Sequence, residues 1–255
     1  MDARHNVAAM TWSEYAARVR AGAVVLLPIG ALEQHGQHLP LATDTWIAER
    51  LAHRVAAAVG GIVLPALAYG GRSLARSGGG DGFAGTTNLD GTTLTHLVRD
   101  VAREQVRHGG RRLVLLLGHG ENESFAVEGA ALARRNRAAA DLTLLIIGWW
   151  HVVPDAALAP LFPEGFPGWD REHAARVETA LMLALAPELV RRELIAPIAP
   201  VVVAPYTVLP TPAGAVPPEG SLADPTGADA VAGTALVELI VAGLAEAIQA
   251  TFELS

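Results

Sequence analysis

The chain has 255 residues, 51% of them hydrophobic, a formal charge of −7 and no cysteine. That length fits one α/β domain over residues 1–255. The acidic balance argues against nucleic acid, and the lack of cysteine excludes disulfides and thiolate metal sites, leaving His, Asp and Glu as candidate ligands. No secretory signal and no membrane-spanning run are expected, so a cytoplasmic protein without a membrane partner is expected.

Residues 11–21 read as a short amphipathic helix, and 23–29 as a buried strand. The strand runs into Glu33-Gln-His35-Gly-Gln-His38-Leu-Pro-Leu-Ala-Thr-Asp44. Glu33 and His35 are two apart, so on an extended backbone they point the same way. Thr43 or Asp44 is expected to cap a helix over 45–59, with Ile47, Leu51, Val55 and Ala58 on one face. A second strand is expected over 62–67. Residues 70–91, rich in Gly, Ser and Thr, are too long for a plain connector and read as a functional loop. Asp90 opens a helix to about 108, with Leu94, Leu97, Val101 and Val106 as core candidates.

A third strand over 112–117 runs into Gly118-His119-Gly120-Glu121-Asn122-Glu123-Ser124, again a buried strand followed by a His and an acid two apart. Asn122 or Ser124 is expected to cap a helix to about 137. A fourth strand, 142–148, ends in Gly-Trp149-Trp150-His151. Trp169-Asp170-Arg171-Glu172-His173 opens a helix to about 186 that carries Val177, Leu181 and Leu185. The proline-rich stretch 196–226 reads as an irregular arm. Thr226 or Asp229 begins a last helix to about 252.

This alternation implies an α/β fold with a mainly parallel sheet and helices on both faces. Ligands in such folds bind at the carboxyl ends of the strands, where 33–44, 119–121 and 149–173 all fall. A lone buried histidine is more often structural than a ligand. Here Glu33, His35 and Asp44 share a loop, and His119 and Glu121 supply a second cluster, which is the donor set of a hydrolytic two-metal centre. His38 is read as orienting a ligand or touching substrate rather than as a ligand itself. Glu178 lies in an apolar helix, and a carboxylate there needs a partner.

These stretches resemble the creatininase family of creatinine amidohydrolases and related amidases. The resemblance rests on Glu33 to His38 with Asp44, the glycine-rich run from Ser77 to Thr87, Gly118 to Asn122, Pro163 to Asp170, and Glu172-His173 through Glu178-Thr179. It implies a three-layer α/β subunit assembled into a homohexamer, with two divalent ions, zinc or manganese. Glu33 and His119 would bind one ion, His35 and Glu121 the other, with Asp44 bridging. Ser77, the backbone at Gly120, Trp150, Trp169 and Asp170 would hold substrate. His173, with Glu172 beside it, would handle the proton, and Glu121 belongs to the catalytic group.

The implied reaction is hydrolysis of a C–N bond in a cyclic amide, creatinine to creatine or a close analogue. The alternative is a family amidase acting on a formamide or a modified-peptide bond. A more remote reading is a metal-dependent binding protein without catalysis. Creatininase proper carries Tyr where this chain has Gly120, so a larger or differently shaped substrate is expected.

Overall fold

Strands β1 (Val25–Ile29), β2 (Ile62–Val63), β3 (Arg112–Leu117) and β4 (Thr143–Gly148) form one sheet in the order β2-β1-β3-β4, paired in parallel throughout. The helices are α1 (Trp12–Arg20), α2 (Thr43–Val59), α3 (Gly91–Arg107), α4 (Glu123–Arg134), α5 (Arg176–Leu185) and α6 (Ala230–Phe252). These elements come from a computed structural model, which describes residues 3–135, 141–199, 201–202 and 204–254. The expected end of α4 at about 137 lies outside the described residues.

Successive strand side chains point to opposite faces, and this builds two cores. Val25, Leu27, Ile29, Leu113, Leu115 and Leu117 pack against Val19 of α1, Leu94 and Val98 of α3, and Ala126 and Ala130 of α4. Leu26, Val114, Leu116 and Ile147 face the other way, onto α2, α5 and α6. The strands are apolar on both sides because both faces are covered. The result is the three-layer α/β arrangement expected.

Several elements differ in detail from expectation. β2 is two residues long, because Pro65 has no N–H to donate to a ladder; only single contacts continue, such as Leu67 N–H to Pro28 O at 2.9 Å. On α3, Leu97 is exposed and Val98 is buried. The cause is a close approach to α4: a Cβ at Gly129 would stand 2.6 Å from Thr95 O and 2.8 Å from Val98 Cβ. That contact selects the face bearing Leu94, Thr95, Val98 and Ala102.

Ala42 rather than Thr43 or Asp44 stands at the N-cap of α2, whereas Asn122 does stand at the N-cap of α4, without a side-chain hydrogen bond to the helix. α5 starts at Arg176 rather than near 169, since 169–171 forms a separate turn. Asp229 does cap α6, accepting from Val231 N and Ala232 N.

No membrane-spanning run was expected, yet α6, with 23 residues, is long and apolar enough by length and composition to cross a membrane. Here one face of it packs into the core. Leu236, Val237, Ile240, Leu244 and Ile248 are buried among α2 and α5, and Gly233 lets α6 press onto the backbone of Ala180.

Candidate metal centre

The chain leaves β1 toward β2 on one side of the sheet and leaves β3 toward β4 on the other, so a crevice opens between the carboxyl ends of β1 and β3. Ile29 and Leu117 are adjacent there, which brings the loops after both strands together. Glycine at both strand ends admits the start of α2. A Cβ on Gly30 would meet Thr45 at 2.4 Å, and one on Gly118 would meet Asp44 O at 2.2 Å. Asp44 therefore sits between the two strand ends. Thr43 Oγ1 donates to Pro40 O, which leaves the Asp44 carboxylate for the crevice. Asn122 ties the loops together: its Nδ2 donates to Gly30 O at 3.0 Å and its Oδ1 accepts from Gly71 N at 2.8 Å.

Two trios of donors share Asp44. Glu33, Asp44 and His119 form one, and His35, Asp44 and Glu178 the other. His119 Nδ1 lies 3.0 Å from Glu33 Oε2 and 3.2 Å from Asp44 Oδ2. His35 Nε2 lies 3.0 Å from Asp44 Oδ1 and 3.7 Å from Glu178 Oε2. All five side chains are buried.

This donor set fits a pair of cations. Glu33 Oε2, His35 Nε2, Asp44 Oδ2 and His119 Nε2 are buried without a hydrogen-bond partner. Three carboxylates converge on two imidazoles, a charge excess that a buried site does not hold uncompensated. The field acts on the histidines: burial disfavours their cations, but Asp44 and Glu178 raise His35, and Glu33 and Glu121 raise His119, well above the ordinary 6.5. Burial raises Glu33, against the pull of His119. Asp44 resists its own burial and stays below the usual carboxylate range because His35 and His119 flank it.

Glu121 stands outside both trios. Its Oε2 is 3.5 Å from His119 Nε2, the ring nitrogen opposite the one facing Glu33, and its Oε1 accepts from Ser77 Oγ at 2.7 Å. Beside His35, Glu178 stands 3.7 Å away, in a part of the centre where the resemblance pairs His35 with Glu121. Ser73 Oγ donates to Glu33 Oε1 at 2.5 Å.

His173 is buried above the cluster, its ring 4.4 Å from that of His35 and its Nε2 3.8 Å from Glu33 Oε1. Burial first, and His35 second, hold its pKa well below 6.5. Ala174 follows at φ +50°, an unusual conformation for a residue with a Cβ, and donates its N–H to Glu178 Oε2 at 2.7 Å. Glu172 Oε1 accepts from Val177 N at 2.6 Å and Glu178 N at 3.1 Å, so this carboxylate closes the start of α5. Burial, with the nearby Glu178, pushes Glu172 up to about 8.

A pocket of about 200 Å³ opens over the cluster. Ser77, Gly120, Glu121, Trp150, Trp169, Asp170, Glu172 and His173 all line it, so the structure gathers these expected residues in one place. Ser77 spends its hydroxyl on Glu121. Trp149 stands out in the sequence as one of three mid-chain tryptophans but is given no substrate role there; it lines the same pocket, edge-to-face with Trp150 at 5.7 Å and with Trp169 at 5.6 Å. The tryptophan pair at a strand end was the available signal. Glu178 also lines the pocket, and its signal was a carboxylate in an apolar helix.

Known proteins resemble this chain over nearly its whole length. The family model for creatininase, creatinine amidohydrolase, matches residues 8–248. Creatinine amidohydrolase of Pseudomonas putida is 45% identical over 251 residues, covering 96% of each chain. A mycofactocin precursor peptide peptidase of Mycolicibacterium smegmatis is 32% identical over 236 residues, covering 89% of this chain and 84% of its own. Solved creatininases, namely a manganese form, a mutant of Zn–Zn type and a mutant complexed with creatine, superpose with a TM-score of 0.94 at 43% or 44% identity, covering 97% of this chain and 98% of theirs. The chain belongs to the creatininase family.

Proposed function

We propose that this protein is a di-metal amidohydrolase that opens a cyclic amide, creatinine to creatine or a close analogue. The observation that carries the reading is the pair of donor trios sharing Asp44 beneath a tryptophan-lined pocket. Glu33, Asp44 and His119 would hold one ion and His35, Asp44 and Glu178 the other; zinc and manganese are the ions of the related solved creatininases. Bound there, divalent ions lower the pKa of a water and polarise a carbonyl.

The chain's own residues do the rest. Hydrolysis adds OH to the carbonyl carbon and H to the nitrogen as the C–N bond breaks, and a ring substrate stays in one piece. His173 Nε2 faces the cluster and is kept neutral by burial, ready to take a proton and return it to the leaving nitrogen. Gln34 serves this nitrogen in both states, with its backbone carbonyl oxygen 2.9 Å away as acceptor and its side-chain amide Nε2 3.0 Å away as donor. Gly220 O accepts from the same amide at 2.8 Å and fixes its orientation. Trp149, Trp150 and Trp169 offer edges and faces to a flat, partly cationic ring.

A second reading keeps the centre and changes the substrate to a linear or modified-peptide amide. The peptidase relative and the missing side chain at Gly120 favour it. The proposal includes a cytoplasmic homo-oligomer, with the family's hexamer as the expected form. The cysteine-free composition and the exposed Val202, Tyr206 and Leu209 of the arm support that part.

The test is assay of zinc- or manganese-loaded protein against creatinine, a formamide and a peptide amide, with a chelator control. Chelator-sensitive creatine formation is the expected result. Hydrolysis of the peptide amide alone would favour the second reading, and no hydrolysis of any would leave a binding protein.

A further inference from the structure

We infer that the substrate carries an arm running past Gly120 into a second cavity, and that this arm is apolar with an anionic end. The inference deepens the amidohydrolase reading and rests on it.

Gly30 and Gly118 are glycine because a Cβ would strike the start of α2. Gly120 has no such reason. It opens a short helical turn, Gly120–Asn122, its φ is not positive, and a Cβ there would meet nothing within 4 Å. Neither backbone nor packing requires glycine, so the space left by the missing side chain is open to a ligand.

That space leads somewhere. A cavity of about 520 Å³ lies beside the pocket over the cluster, and the two share Ser77, Gly120, Glu121 and Asp170. A creatinine-sized ring would leave this second cavity empty.

The walls indicate what enters. Leu74, Leu89 and Phe125 present apolar surface. Two arginines line the same cavity. Arg72 is already paired with Asp81 at 2.5 Å, whereas Arg76, exposed, makes no ion pair among the described residues. Asp170 stands at the shared doorway, and Asp90 adjoins Gly91, which packs on Phe125. Arg76 lines the second cavity and not the first, whereas Asp170 and Glu121 line both, so an anion is favoured beside Arg76 and disfavoured at the doorway, which calls for an apolar spacer between amide and charge.

The probes are creatinine and two analogues in which hexyl or 5-carboxypentyl replaces the N-methyl group. Calorimetry measures their binding to the metal-loaded wild type, Arg76→Ala and Gly120→Tyr. In the wild type the carboxypentyl compound is expected to bind at least about tenfold tighter than creatinine, because the arm buries several methylenes. Arg76→Ala should erase its advantage over the hexyl compound, and Gly120→Tyr should remove the advantage of both arms. Equal binding of all three compounds by the wild type would overturn the inference, as would arm-dependent binding untouched by both variants. Arg76 is exposed, so its variant carries the test if Gly120→Tyr fails to fold. Creatinine turnover, read in parallel, separates the two claims: turnover without an arm effect overturns the subsite alone, and an arm effect without turnover overturns the creatinine reading alone.

Discussion

His38 Nε2 donates a hydrogen bond to Thr179 Oγ1 at 2.8 Å, joining the first metal-ligand loop to α5. The direction follows from the hydroxyl, whose single proton goes to Ala175 O at 2.6 Å. Thr179 adjoins Glu178, and His38 O accepts from Arg191 N, so this histidine anchors the loop to the helix that supplies the far carboxylate. His38→Ala should leave the fold intact by circular dichroism and weaken the ion on the His35 side by about 10–100-fold. Competition with a chromogenic chelator measures it, and unchanged affinity would remove His38 from the support of the site.

The same histidine bears on acid stability. Burial, with His35 adding, lowers its pKa from 6.5 to about 4. The unfolded chain therefore binds the proton first as pH falls. The contribution of this group is complete above about pH 6.5 and is lost progressively down to about pH 4. His38→Gln keeps a donor that does not titrate. Its Tm should fall less steeply than that of the wild type over this window, and parallel curves would contradict the assignment.

Asp44 belongs to both trios, so Asp44→Ala should lose both ions. Metal analysis after dialysis checks this; retention of two ions per chain would refute the shared role.

Glu178→Gln separates the geometry found here from a centre completed by Glu121. With Glu178 beside His35 at 3.7 Å, the substitution should release one ion and keep the one between Glu33 and His119. Two ions held at wild-type affinity would return the place beside His35 to Glu121.

His173→Ala should keep both ions and lose roughly 10²–10⁴-fold in kcat, the range for a general acid–base. Gln34→Leu should give a smaller loss with KM little changed, since it removes the side-chain donor to the His173 ring and keeps the backbone acceptor. Wild-type kcat in His173→Ala would remove this residue from proton transfer.

Much of this protein is legible along its chain. The strands are short apolar runs ending in chemistry, and local spacing alone puts Glu33 with His35 and His119 with Glu121 at their carboxyl ends. Strands that are apolar throughout and alternate with helices imply that helices cover both faces. Asp44 could be named because it falls where a helix begins beside such a loop, and His173 because the resemblance implies it. Tertiary structure decided which side chains meet. No spacing rule connects Glu178 on α5 to His35 after β1, and only the packing of α5 brings them together. Helix phase likewise assigned Val98 rather than Leu97 to the core, because Gly129 admits close contact there. Whether Gly120 is a structural necessity or a doorway depends on what surrounds an absent Cβ. That is a property of space around the chain rather than of its order, so the fold alone could decide it.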